Sequence, residues 1–106
     1  MTKETFEKIK VGQIYEIITD KFYTTKEHDQ TDIKRPVNLL RGEKIEIRFP
    51  YAWHFRTVDN NYYHAEAEMI KENCKPFGTI WENVRFGNGC KLEEILRLGL
   101  YKIFNN

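Results

Sequence analysis

The chain has little of almost everything that announces a function. Its two cysteines, Cys74 and Cys90, stand sixteen positions apart, without the C-x2-C pairs from which most zinc centres are built. Its 17 basic and 16 acidic residues leave a net charge of +1. No global field therefore draws a polyanion, and no acidic surface imitates one. No stretch approaches the ~20 consecutive apolar residues that span a bilayer, so no membrane partner is expected. The opening MTKETFEKIK is charged and lacks the apolar run of roughly 7–15 residues that marks a secretory signal. The expected setting is the cytoplasm, with both cysteines as free thiols. Gly87-Asn88-Gly89 lacks the G-x-x-x-x-G-K-[ST] pattern that cradles phosphates, and no cofactor is expected.

What the chain does have is rings. Aromatic residues make up 14% of its 106 positions and hydrophobic ones 41%, against 31% charged. That balance argues for a folded core built largely from aromatics. With no internal repeat, low-complexity tract or dividing linker, residues 1–106 read as a single domain. The expected fold class is α+β: a small curled antiparallel sheet of about five strands, an SH3-like partly open barrel, with one C-terminal helix.

Periodicity supplies the detail. After Gly12, QIYEII reads as a strand continuing toward Phe22 and Tyr23. TTKEHDQTDIKRP then forms a polar surface excursion closed by Pro36, the kind of long loop that is often functional or mobile. A turn at Arg41-Gly42 precedes EKIEIRFPYAWHFRT. There Ile45, Ile47, Phe49, Tyr51, Trp53 and Phe55 share one parity, while Lys44, Glu46, Arg48, His54 and Arg56 share the other. Period two over this length predicts one long strand with its odd face buried, bent at Pro50, which cannot donate to a ladder.

The segment NYYHAEAEMIKEN fits either a helix or a strand. Burying both odd faces together requires a loop with an odd number of residues. Asp59-Asn60-Asn61 meets that condition, with asparagine able to adopt the left-handed conformation. This favours a hairpin that sets Phe55 opposite Ala65, Trp53 opposite Ala67, His54 opposite Glu66 and Arg56 opposite His64, turning helical from Ala67 onward. KPFG breaks the chain, and TIWENVRF reads as a further strand. In CKLEEILRLGLYKIF, Glu93 and Glu94 suit the positive end of a helix. Gly99 is unfavourable within one, so the segment either continues as helix or ends there and adds a closing strand.

Three constellations are candidates for chemistry. The first is the outward polar face of the hairpin, His54, Arg56, His64 and Glu66. A carboxylate beside an imidazole orients it and raises its pKa as a general base requires; exposed cross-strand charges pair in the same way without any site. Thr57 has the buried parity, no serine or cysteine is placed on that face, and no catalytic residue is assigned. The second is metal. His64-Ala-Glu66 has the H-x-E spacing of deaminase zinc centres, but Cys74 and Cys90 are too far apart to complete one. A zinc site from both cysteines and two of His28, His54 and His64 lacks any short-spaced ligand pair, so none is expected. The third is a stacking and phosphate surface made of Lys21, Tyr23, Lys34, Arg35 and Arg48. Acidic residues are dispersed equally with the basic ones, so nucleic acid is the weaker partner.

The C-terminal segment is where apolar residues exceed what one face can bury. Leu92, Ile95, Leu96, Leu98, Leu100, Tyr101, Ile103 and Phe104 run most of the way round it, whereas a surface helix buries one stripe. Leu98, Leu100, Tyr101 and Phe104 are therefore the expected contact residues for a protein partner or a homodimer. The expected function is a small non-enzymatic protein-binding module. Its size suits a phage or mobile-element inhibitor of a host defence nuclease, of the anti-CRISPR or anti-restriction type. The alternatives are a nucleic-acid-binding small barrel and a structural or adaptor subunit.

Overall fold

A computed structural model describes residues 10–26, 36–49, 54–65, 67–81, 84 and 90–104. The protein is a small α+β fold. Its strands are β1 (Gln13–Ile17), β2 (Tyr23–Lys26), β3 (Pro36–Asn38), β4 (Lys44–Phe49), β5 (His54–Thr57), β6 (Tyr62–His64), β7 (Cys74–Ile80) and β8 (Tyr101–Ile103). Helix α1 (Ala67–Asn73) lies between β6 and β7, and α2 (Leu92–Leu98) between β7 and β8. All eight strands join one antiparallel sheet in the order β3-β2-β6-β5-β4-β1-β7-β8.

β1 sits inside this order and is covered on both faces. Ile14 is buried on one side, and Tyr15 and Ile17 are buried in a separate cluster on the other. That accounts for apolar residues of both parities, Ile14 beside Tyr15 and Ile17, in QIYEI. The inner cluster unites Tyr15, Ile17, Phe22, Leu39, Ile45, Ile47, Phe55, Tyr63, Ala65, Ile70 and Cys74. Phe55 is its hub, edge-on to Phe22 at 5.8 Å and stacked on Tyr63 at 6.0 Å, both favourable ring geometries. α1 contributes Ile70 to this cluster. It ends at Asn73, whose side-chain amide donates to the Met69 carbonyl at 2.9 Å and whose Oδ1 accepts from Thr19 Oγ1 at 2.6 Å. The outer cluster is smaller: Ile14, Ile80, Leu92 and Ile95 are buried, bringing α2 onto the opposite face of the sheet.

The sheet has eight strands among the described residues where about five were expected, and the structure departs from the sequence reading at four further places. QIYEII does not run on to Tyr23; β1 stops at Ile17 and Tyr23 opens a separate strand. EKIEIRFPYAWHFRT is two strands, because β4 ends at Phe49 and β5 returns antiparallel to it. Ile47 faces Phe55 across this pair, so a reversal preserves the same buried parity as a bend would. The next hairpin is real, but its register lies two residues away: His54 faces His64, Phe55 faces Tyr63 and Arg56 faces Tyr62. Its loop is Val58-Asp59-Asn60. The Asn60 amide donates to the Thr57 carbonyl at 3.0 Å and the Thr57 amide to the Asn61 carbonyl at 2.9 Å. Asn60 takes φ 63°, the left-handed residue that closes a three-residue hairpin. The expected burial of Trp53 against Ala67 falls outside the described residues and side chains.

Fourth, KPFG does not break the chain. β7 runs through it from Cys74 to Ile80. Pro76 sits beside a register shift against Ile14 and Tyr15, a bulge position where a missing N–H is tolerated. Gly78 lets β8 approach: a methyl group there would lie 2.5 Å from the Lys102 carbonyl oxygen. The strand of TIWENVRF therefore ends at Ile80, and the Val84 amide turns back to the Trp81 carbonyl at 2.9 Å. At the other end, α2 stops at Gly99 (φ 68°). The Leu100 amide donates to the Ile95 carbonyl at 3.0 Å and that of Gly99 to Leu96 at 3.4 Å, a Schellman cap. The chain then returns along β7 as β8.

Candidate functional site

The outer face of the sheet has a polar part and an apolar part. In the polar part, the Glu46 side chain is fully buried. The Arg56 Nε donates to its Oε1 at 2.7 Å, and a terminal nitrogen of the same guanidinium reaches that oxygen at 2.7 Å. Arg48 donates to Oε2 at 2.9 Å, and Arg56 also reaches Asn60 Oδ1 at 3.1 Å. Beside them Glu16 lies 3.2 Å from Lys44 and 3.5 Å from Lys75, while the Lys44 ammonium stands 5.0 Å above the Phe77 ring. A carboxylate closed in by two guanidiniums gives no substrate access to its oxygens. This arrangement ties β4 to β5 and offers no exposed base.

His54 and His64 do meet on this face, edge to face with ring centroids 5.9 Å apart. Arg56 lies on the same face, but it turns to Glu46 rather than to His64. Glu66 is outside the described residues. The sequence reading missed Glu46 as the partner of Arg56 because both were placed on a single long strand; the signal was the opposite charge on residues of like parity.

The thiols are separated. Cys74 belongs to the inner cluster and Cys90 packs against the outer one, so they lie on opposite faces and share no metal centre. Burial pushes the Cys74 thiol up to about 12, which suppresses the thiolate that nucleophilic or metal chemistry needs. Tyr15 is buried beside it. Burial first, and then the neighbouring Cys74, raise its hydroxyl pKa, and that hydroxyl donates to Gln13 Oε1 at 2.8 Å. Of the stacking surface, Lys21 and Tyr23 are exposed, Arg48 is held by Glu46, and Lys34 and Arg35 are outside the described residues.

The apolar part surrounds α2 and β8. Leu96, Leu100 and Tyr101 are partly buried against the outer cluster, with Tyr101 tilted over Phe77 at 5.5 Å. Phe104 is half-buried, its amide donating to the Phe77 carbonyl at 3.1 Å. Leu98 is 57% exposed, Ile103 56% and Trp81 48%. The Trp81 amide donates to the Leu100 carbonyl at 3.1 Å, which brings all three exposed residues to neighbouring segments. Of the four expected contact residues, Leu98 stands outward, whereas Leu100 and Tyr101 support the outer cluster. Ile103 was read in the apolar surplus but not among the four contact residues, and Trp81 was not anticipated. Period-two alternation in a short closing strand is the signal that points to Ile103. No helix among the described residues is long and apolar enough to cross a membrane. Compared with known protein families, curated proteins and solved structures, the chain matches none.

Proposed function

We propose that this chain is a small non-enzymatic protein-binding module that engages its partner through the C-terminal segment, Leu98 to Phe104. One observation carries the reading: among the described residues, large apolar side chains remain exposed around an outer cluster that buries four residues. Burying one such side chain contributes about 1.5–3 kcal/mol, and a few well-placed anchors supply most of the energy of an interface. The titratable groups favour binding over catalysis, because Glu46 on the outer face is enclosed by arginines and the Cys74 thiol is buried in the inner cluster.

The finer fold expectation, an SH3-like partly open barrel, belongs to this reading. Register shifts between Ile47 and Phe49 and between Ile14 and Tyr15 supply the kind of bulge that curls a small sheet. The cytoplasmic setting belongs to it as well, consistent with Cys74 and Cys90 as free thiols. Occlusion of a host defence nuclease is the narrowest form of the proposal and rests on size and composition alone.

The test is affinity capture from cells of the source with parent chain and with the Leu98→Glu, Ile103→Glu variant. The expected result is a protein partner retained by the parent at both low and high salt and lost by the variant. Equal capture by both chains would contradict the assignment. Capture that fades as salt rises and carries nucleic acid would favour the phosphate-contact alternative.

A further inference from the structure

β8 stands at one end of the sheet order and pairs with β7 alone among the described residues. Leu100 accepts from the Trp81 amide, and Phe104 donates to the Phe77 carbonyl. The even-numbered residues of this stretch therefore direct their backbone groups at β7. By the alternation of an antiparallel ladder, Tyr101 and Ile103 direct theirs away from it. The edge at the opposite end is different. β3 opens with Pro36, and proline removes a donor that an added strand would use.

Resting on the protein-binding reading, we propose that the outer edge of β8 takes an extended segment of another protein as a ninth strand, with an acidic side chain opposite Lys102. The charge of the edge selects this occupant. From Arg97 to Phe104 the only charged residues are Arg97 and Lys102, both basic and both exposed. A second copy of the chain is disfavoured. A two-fold joining that pairs Tyr101 and Ile103 with each other, or either with its own copy, keeps the two Lys102 ammonium groups directly opposite or two residues apart, inside a screening length of ~8–10 Å. Because side chains alternate along a strand, Lys102 lies on one face while Tyr101 and Ile103 share the other. The matching segment is apolar–acidic–apolar: its carboxylate meets Lys102 and its flanking residues cover Ile103 and Tyr101. Backbone pairing of this kind supplies affinity, and the alternating side chains supply specificity.

Two capped nine-residue peptides test this, both alternating threonine and valine, one with glutamate and the other with lysine at the centre. The glutamate peptide at millimolar concentration should slow amide exchange at Tyr101 and Ile103 about tenfold or more, the lysine peptide far less. Lys102→Glu should reverse that preference, by roughly fivefold to thirtyfold in relative affinity. Ile103→Pro removes an outward N–H without touching the bonds of Leu100 and Phe104 to β7. It should abolish peptide protection at Tyr101 while leaving the melting temperature within a few degrees of the parent. The proposal is overturned if the glutamate peptide leaves these amides unchanged, if both peptides act alike, or if the free chain is a dimer with both amides already protected. If the edge fails these tests while Leu98→Glu, Ile103→Glu still loses the captured partner, protein binding stands and only the strand addition falls. If that variant also loses nothing, the protein-binding reading fails as well.

Discussion

The two apolar clusters on opposite faces of the sheet are built from similar residues and finished to different degrees. The inner cluster is the larger: among the described residues, eleven buried residues from five strands, α1 and the connecting segments gather around Phe55, with Ile18, Tyr23 and Leu40 exposed next to its members in the chain. Among the described residues, the outer cluster buries four and then thins into a margin of partly buried ones, with Leu98, Ile103 and Trp81 beyond it in solvent. One core is enough to hold a fold of this size. The inner cluster meets that need, and on the proposed reading the outer one is a surface that a partner completes.

The comparison is sharpest where its effects are largest. Phe55→Ala removes the ring that joins Phe22 to Tyr63, and should cost roughly 3–5 kcal/mol, measured by chemical denaturation. A loss under about 1 kcal/mol would mean that the inner cluster is not the stabilising core. Glu46→Ala comes next. It strands Arg56 and Arg48 on the outer face, and removing one member of a buried ion pair costs about 3 kcal/mol. A neutral result would show that these side chains are more hydrated than their burial suggests.

Alkaline pH probes the inner cluster without substitution. The Cys74 thiol rises from its ordinary 9.0 to about 12 in the folded chain, so the neutral form is favoured by folding. That contribution is complete below pH 9 and is lost as pH rises toward 12, by up to about 1.4 kcal/mol per pH unit. Tyr15, raised above its ordinary 10.0, adds to the loss from pH 10 upward. Cys74→Ala should flatten the slope between pH 9 and 10; an unchanged slope there would assign it to other groups. The smallest effect belongs to the margin of the outer cluster. Leu98→Glu with Ile103→Glu should leave stability within about 0.5 kcal/mol per site, as surface substitutions do. A loss of several kcal/mol would make these residues part of the core.

Much of this contrast was readable in the sequence. Period two across Ile45, Ile47 and Phe55 identified one face of the inner cluster, and the surplus of apolar residues after Leu92 singled out the outer one. What could not be read was the set of long-range choices that leave the pattern unchanged. A reversal between Phe49 and His54 keeps the parity that a bend would keep, and residues 50–53 carry no glycine or asparagine to announce it. The hairpin after Thr57 has two registers, both of odd loop length, and only Asn60 in place of Asn61 as the left-handed residue separates them. Pro76 and Gly78 read as breakers because their uses, a bulge and a close approach of β8, depend on strands far away in sequence. The pairing of Glu46 with Arg56 was hidden for the same reason: it exists only once the chain has folded back.

Amide hydrogen exchange along β5 and β8, in the isolated chain and again with the captured partner, tests the central claim most directly. Opening of the outer margin should be local and that of the inner cluster global. In the isolated chain, the amides of Lys102 and Phe104 should therefore exchange at least about a hundredfold faster than that of Phe55 and should slow markedly in the complex. Equal protection of the three amides in the isolated chain, unchanged when the partner is bound, would mean that the outer cluster is a finished core and no binding surface.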